Sequence, residues 1–299
     1  MKKPYEKYKK WLDKNTESLS GRKVAITGST GGLGRELSRY LLYLGAELIL
    51  VDRNRTRSLA LKSELEAEFS GANIRYVTAD LSDFESVKAA AVEIEALKPD
   101  YLIHNAGAYS IPRKVCDTGY DNVFQINFLS PYFLTRTLMG GIKERGGKIV
   151  IVGSVAHNYS KTDKGDIDFK TRKKASLVYG NAKRFITYSA LKLTELDGTP
   201  EISVTHPGIT FTGITSHYPK IIFALIKHPM KIIFMRREKA ALSILKGVFD
   251  NTKPYEWIGP RLFNVWGLPT KKALKTADSS EIEFIFEEAE KIYSSLTKN

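Results

Sequence analysis

The chain has 299 residues, 42% apolar and 26% charged, and its 46 basic against 33 acidic residues leave a formal net charge of +13. That balance fits an ordinary globular protein with a sizeable core, arranged as one large domain or two smaller ones. The lone cysteine, Cys116, excludes an internal disulfide, fits a reducing compartment and, with no histidine close to it in sequence, reads as structural.

From the N-terminus, residues 1–20 form a basic extension in which Tyr5, Tyr8, Trp11 and Leu12 recur at helical spacing. They read either as a short helix packed on the domain or as a basic aromatic helix on a membrane surface. No apolar stretch of signal-peptide length follows. Basic clusters lie at 2–10 within this extension and at 52–57, 170–174 and 230–239, without zinc-finger or heptad spacing. Solvated surface is the plainer reading of these charges, and nucleic acid is not an expected partner.

Strand-like and helix-like segments then alternate. Apolar runs at 23–27, 47–51, 74–78, 101–104, 148–152 and 202–206 read as strands. Helical patterns cover 33–45 (ended by Gly45), about 56–69, about 83–97, 119–143 and 177–196. Such alternation predicts βαβ units, hence a mainly parallel sheet with helices on both faces in a single domain over 21–299.

Residues 213–235 carry a dense apolar run broken by Lys227, His228, Pro229 and Lys231, too short between breaks to span a membrane. It reads as a substrate lid containing Ile221, Ile222, Phe223, Leu225, Ile232, Ile233 and Phe234, or as core, dimer contact or lipid-facing surface. An amphipathic helix is expected over 279–293, opened by a capping box of Ser280 and Glu283. His157, His206, His217 and His228 show no metal-ligand spacing, and no metal is expected.

Directly after the first strand comes TGSTGGLG, residues 27–34, opening into a helix. Gly28, Gly32 and Gly34, with Ser29, Thr30 and Leu33 between them, permit a tight turn whose free N–H groups suit a pyrophosphate. Asp52 closes the next strand, where a carboxylate can accept from an adenosine ribose. Tyrosine and lysine stand four apart at Tyr5/Lys9, Tyr179/Lys183 and Tyr188/Lys192. That spacing puts both side chains on one helix face, and the spacing alone does not separate the three pairs.

The T-G-x-x-x-G-x-G turn resembles that of the short-chain dehydrogenases/reductases, and the resemblance continues through the chain. ADLSD (79–83) is similar to the segment whose aspartate, here Asp80 with Leu81 beside it, contacts adenine. HNAGA (104–108) is similar to the family's N-N-A-G turn, with His104 in place of the first asparagine and Asn105, Ala106 and Gly107 kept. INFLSPYFLT carries the helix asparagine as Asn127, IVIVGSVAH holds the family's serine position at Ser154, and THPGITFT supplies Pro207, Gly208 and Thr212. Tyr179 and Lys183 follow the Ser154 strand, where the family has its active pair. The 25-residue step from Ser154 to Tyr179 and the terminal helix resemble the retinol-dehydrogenase-like branch.

The resemblance implies a single-domain Rossmann-type doubly wound parallel sheet of about seven strands. It also implies hydride transfer between nicotinamide and an alcohol or carbonyl substrate, in a lipophilic class if 213–235 is a lid. Tyr179 is then the general acid/base, its pKa lowered by Lys183 and by oxidised nicotinamide. Ser154 bonds the substrate oxygen, Lys183 holds the nicotinamide ribose, and Asn127 positions a water in a proton path. Asp52 and the non-basic Gly31 favour NAD, whereas Arg53 is placed to grip the 2′-phosphate of NADP; NAD is the expectation. Homodimer or tetramer formation through the two long helices and peripheral membrane contact stay open, and a cytoplasmic site is expected. The alternative is a catalytically silent dinucleotide-binding scaffold; an extended-branch epimerase is disfavoured by the glycine spacing.

Overall fold

The computed structural model describes residues 3–210, 235–274 and 278–298. The expected lid over 213–235, with His217 and His228, lies outside the described residues except for Met235, and so does Thr212. Strands β1 (Lys23–Thr27), β2 (Glu47–Asp52), β3 (Ile74–Thr78), β4 (Tyr101–His104), β5 (Lys148–Val152) and β6 (Glu201–Thr205) fall within a residue of the apolar runs. With β7 (Glu256–Leu262) and β8 (Trp266–Ala273) they form one sheet in the order β3-β2-β1-β4-β5-β6-β7-β8. Neighbours pair in parallel from β3 through β7, and only β7 and β8 are antiparallel. β5 is buried at every position, and β1 at every position after Lys23. Continuous burial of this kind requires the uninterrupted Val, Ile and Ala runs that make these strands readable.

Eight strands replace the expected seven. Both β7 and β8 escape the sequence pattern: Pro260 and Pro269 face each other across the hairpin, and Gly267 interrupts the alternation. Proline is tolerated in such an edge pair, where one side of the ladder has no partner to lose.

Ten helices are described: α1 (Pro4–Lys7), α2 (Lys9–Asn15), α3 (Gly32–Tyr43), α4 (Arg55–Glu68), α5 (Phe84–Ala96), α6 (Asn122–Phe124), α7 (Ser130–Glu144), α8 (Ala175–Leu193), α9 (Arg237–Phe249) and α10 (Ser279–Thr297). One sheet face is covered through Val87 of α5, Leu134 of α7, Phe185 of α8 and Ile285 of α10. The other is covered through Leu12 of α2, Leu37 and Leu41 of α3, Leu65 of α4 and Leu245 of α9. The basic extension therefore packs on the domain: Leu12 is buried, and Tyr5 stacks on Tyr43 at 4.8 Å. Among the described residues no helix is long and apolar enough to cross a membrane.

Local chemistry sets the helix ends. Asn54 accepts from Arg57 N to start α4, and Asp83 accepts from Ser86 N to start α5. The expected Ser280/Glu283 capping box is not what starts α10. Asp278 does so, its carboxylate accepting from both Ser280 N (3.0 Å) and Ser280 Oγ (2.9 Å), while Glu283 reaches Lys192. The single helix expected over 119–143 is interrupted between α6 and α7 by a π turn at Gln125–Leu129, which contains Asn127.

Candidate active site

The strand order reverses direction at β1 and β4, which lie side by side although β1 runs on to β2 and β4 to β5. In such a sheet a crevice opens at the carboxyl ends of the strands at this switch point. The glycine turn leaves β1 there, and the 104–107 turn leaves β4 beside it. Asn105 Nδ2 donates to Thr27 O and Gly28 O, each at 3.0 Å, and Ala106 N donates to Thr27 Oγ1 at 3.1 Å.

The two turns touch closely enough that side chains are excluded. Gly28 has a φ of +70°, and a Cβ on it would lie 2.8 Å from Ala106 Cα; a Cβ on Gly34 would collide with Gly28 O and lie 2.7 Å from Ser29 Cα. Neither glycine tolerates a methyl group without backbone movement, and the N-terminus of α3 is left as a bare backbone cradle of the kind a pyrophosphate fits. A Cβ on Gly32 would meet the Arg237 side chain, with Nε at 2.7 Å. Nothing in the sequence beyond the basic run at 230–239 marks Arg237. Tyr40 Oη donates to Glu238 O at 2.9 Å, which fixes the first turn of α9 on α3 and so puts Arg237 over the cradle.

Asp52 is buried at the end of β2. Its carboxylate accepts from Ser29 Oγ, from Thr30 Oγ1 at 2.9 Å and from Thr30 N at 3.2 Å. Burial raises its pKa, and these three donors work against that rise. Arg53 is exposed beside it. Asp80 ties its own turn together, accepting from Ser82 N at 2.9 Å and Ser82 Oγ at 2.8 Å, and Leu81 O accepts from Ser130 Oγ at 2.8 Å. Pro207 and Gly208 follow β6, and the Gly208 backbone lies against Val265 O.

Ser154, Tyr179, Lys183 and Asn127 converge at the same edge. Ser154 follows β5, accepts from Ala156 N at 3.2 Å and hydrogen-bonds Tyr179. Tyr179 lies on the first turns of α8, half-buried, with Tyr109 edge-on at 5.3 Å. Lys183 Nζ donates to Val152 O at 2.8 Å and stands 5.7 Å from the centre of the Tyr179 ring. Asn127 Oδ1 and Lys183 Nζ flank Gly107, at 2.8 and 3.7 Å from where its Cβ would be.

Burial pushes the Tyr179 phenol up to about 12, with Tyr159 and Tyr109 adding to the rise and the Ser154 hydrogen bond opposing it. Burial pulls the Lys183 amine down to about 8, so near neutral pH it still carries its charge beside the phenol. Asn127 Nδ2 donates to Ala108 O and Val123 O, each at 2.8 Å, and Oδ1 accepts from Ala108 N at 3.2 Å. Only one lone pair of Oδ1 is left for a water. The π turn is what aims this side chain inward, a common use of such turns.

The other tyrosine–lysine pairs are structural. Tyr188 is fully buried under the Arg184 guanidinium at 4.8 Å, and Lys192 pairs with Glu195. Lys9 pairs with Asp13. His104, in place of an asparagine, is buried, shares a hydrogen bond with Thr135 Oγ1 at 2.9 Å and is pulled down to about 3, so it stays neutral. Among the described residues no group of three His, Cys, Asp or Glu could hold a metal ion.

The short chain dehydrogenase family model matches residues 22–164. Retinol dehydrogenase 14 of Mus musculus is 30% identical over 214 residues, which cover 67% of this chain and 64% of that protein. Polyprenol dehydrogenase of Mus musculus is 26% identical over 236 residues, covering 75% and 70%. The aligned part thus spans about two thirds of these relatives' length. Among solved structures, an uncharacterized protein from Mycobacterium paratuberculosis superposes with a TM-score of 0.69 at 23% identity, covering 95% of this chain and 96% of that one. A short-chain dehydrogenase from Sphingobium yanoikuyae in complex with NADPH gives 0.54 at 25% identity, covering 65% and 74%. With its glycine turn, its sheet order and these matches together, the chain belongs to the short-chain dehydrogenases/reductases and resembles their retinol-dehydrogenase-like branch.

Proposed function

We propose that this protein is an NAD(P)-dependent oxidoreductase acting on a lipophilic alcohol or its carbonyl counterpart, with Tyr179 as the proton-transfer group. The observation that carries the reading is the convergence of Ser154, Tyr179 and Lys183 beside the bare glycine cradle. When bound, the nicotinamide cofactor supplies or accepts the hydride.

The chain's own residues do the rest. Gly28, Ser29, Thr30, Gly32, Leu33 and Gly34 offer backbone to the pyrophosphate, with Arg237 alongside. Asp80 and Leu81 would hold the adenine, Asn105, Ala106 and Gly107 brace the cradle, and Pro207 and Gly208, with Thr212 as the resemblance implies, would take the nicotinamide end. Lys183 holds the ribose of the nicotinamide. Ser154 hydrogen-bonds the substrate oxygen where negative charge develops during reduction. Tyr179 gives its proton to that oxygen in reduction and takes it back in oxidation. Asn127 fixes the π turn against Ala108 and keeps Lys183 in register with the 104–107 turn.

A lipophilic substrate is supported by the relatives, one named for retinol and one for polyprenol. NAD is favoured over NADP because the buried Asp52 carboxylate at the end of β2 would accept from a ribose hydroxyl and repel a 2′-phosphate, while the exposed Arg53 supports the opposite choice. Side-by-side titration with NADH and NADPH, followed by nicotinamide fluorescence, tests the cofactor reading. Tighter NADH binding is expected. Binding of neither would remove the hydride-transfer reading.

A further inference from the structure

Arg184 follows Lys183 on α8 and is only 5% exposed. Every nitrogen of its guanidinium is used. Nε donates to Glu281 Oε1 at 2.7 Å, Nη2 to Glu281 Oε2 at 2.5 Å, and Nη1 to His157 O at 2.9 Å. Glu281 lies in the first turn of α10 and also accepts from Thr162 N at 2.8 Å. The Arg184 guanidinium and the Thr162 amide hold the Glu281 carboxyl down to about 2 against burial.

His157 is fully buried, and its Nδ1 lies 2.6 Å from Ser154 O. A carbonyl only accepts, so Nδ1 carries the proton. The backbone from Ser154 to Thr162 is therefore tied at three places, Ser154 O, His157 O and Thr162 N, to a single carboxylate–guanidinium fork and the imidazole beneath it. Gly180 brings α8 against the same segment, so closely that a Cβ on it would collide with Ala156 O.

A buried ion pair is a poor source of stability, since apolar residues of similar volume often do as well or better. What a two-bond fork does supply is fixed distance and orientation. Here the fork joins residues 97 positions apart, and both partners spend their remaining hydrogen bonds on the backbone that carries Ser154. We propose that Glu281, acting through Arg184 and His157, is a positioning residue that holds Ser154 in contact with Tyr179, so that the C-terminal helix is part of the active site's support. This rests on the roles given to Ser154 and Tyr179 above.

The test uses full-length Glu281→Gln and Arg184→Lys, and a double variant Arg184→Met/Glu281→Leu that removes both buried charges together and so leaves neither unpaired. All-trans-retinol with NAD is the probe for turnover, and NADH fluorescence gives cofactor affinity. Alkaline titration of the NAD-loaded protein at 295 nm, taken as the difference from Tyr179→Phe, reads the phenol, which Ser154, Lys183, Tyr109 and Tyr159 face. All three variants are expected to lose about tenfold or more in kcat, with KM and NADH affinity within about twofold of wild type. The Tyr179 titration moves to higher pH because the Ser154 hydrogen bond that favours the phenolate is weakened. Wild-type kcat and an unmoved Tyr179 titration in the double variant would overturn the inference. Ser154→Ala and Tyr179→Phe run in the same series separate the two levels. If those two keep full turnover, the reading of the site fails; if they abolish it and the Glu281 and Arg184 variants do not, only the positioning role fails.

Discussion

Adding one methyl group at three glycines separates backbone strain from steric exclusion at the cofactor cradle. Gly71 has a φ of +78° with nothing within 4 Å of the place a Cβ would take, so Gly71→Ala carries the left-handed strain alone. That strain is roughly 1–2 kcal/mol. Gly34→Ala carries the clash alone, with its Cβ against Gly28 O and 2.7 Å from Ser29 Cα. Both contacts are backbone, so relief requires the turn itself to move, at a cost of roughly 1–3 kcal/mol. Gly28→Ala carries both, at a φ of +70° and with Ala106 Cα at 2.8 Å, for a total of roughly 2–5 kcal/mol. Reduced freedom of the unfolded chain returns about 0.4–1 kcal/mol in each case. At roughly 2 °C per kcal/mol for a chain of this size, the melting midpoint should fall least in Gly71→Ala and most in Gly28→Ala. Thermal melts followed by circular dichroism give that order. NADH titration gives the second half: Gly71→Ala should bind as wild type, while Gly28→Ala and Gly34→Ala lose about tenfold or more. If Gly34→Ala bound NADH as tightly as Gly71→Ala, the glycine turn could not be the pyrophosphate cradle.

Three further outcomes are expected. Tyr179→Phe should lower turnover by roughly 10²–10⁴-fold while NADH affinity stays near wild type, as stopped-flow absorbance at 340 nm and fluorescence titration would show. Lys183, held at about 8 against an ordinary 10.5, binds its proton less readily folded than unfolded. The unfolded chain therefore carries the extra proton between those pH values, so the penalty on folding is complete below about pH 8 and fades as pH rises towards 10.5. Lys183→Met should accordingly raise the melting midpoint more at pH 7 than at pH 10 while abolishing turnover; a gain that is the same at both pH values would contradict the burial argument. Asp52→Asn should improve NADPH binding relative to NADH by about tenfold, measured as the ratio of two fluorescence titrations.

The parallel strands are legible because each has to be apolar throughout, so Val24–Thr27 and Ile149–Val152 announce themselves without any need for periodicity. The candidate site is legible where its residues are neighbours in sequence, as in the glycine turn, or one helical turn apart, as in Tyr179 and Lys183. What escapes is set by longer reach or by subtler geometry. The π turn around Asn127 adds one residue to a helical turn, which no apolar pattern records. Arg237 and Gly32 meet through the packing of α9 on α3, and Arg184 and Glu281 are 97 positions apart. Asp278 displaces Ser280 as the cap of α10 because a carboxylate accepts from the amide and the hydroxyl of the same serine, a choice between nearby residues that spacing does not make. Burial of the phenol is likewise invisible to spacing: four residues apart places Lys183 near Tyr179 but says nothing of the desolvation that raises the one and lowers the other.

The strand order also bears on how a nascent chain assembles. β1, β2 and β3 are consecutive in sequence and in the sheet, so one wall of the crevice can pair as soon as Thr78 has been made. The other wall starts only with β4, and the helix that carries Tyr179 rests on α10, which is synthesised after every strand of the sheet. Domains synthesised from the N-terminus expose unpaired strand edges until their partners arrive. A chain halted before α10 would hold the glycine turn against an unbuttressed α8, with Ile282 and Ile285 missing from the core that Phe185 and Ile186 share with them. The cradle would then be old, in the life of the chain, by the time the reaction centre beside it became rigid.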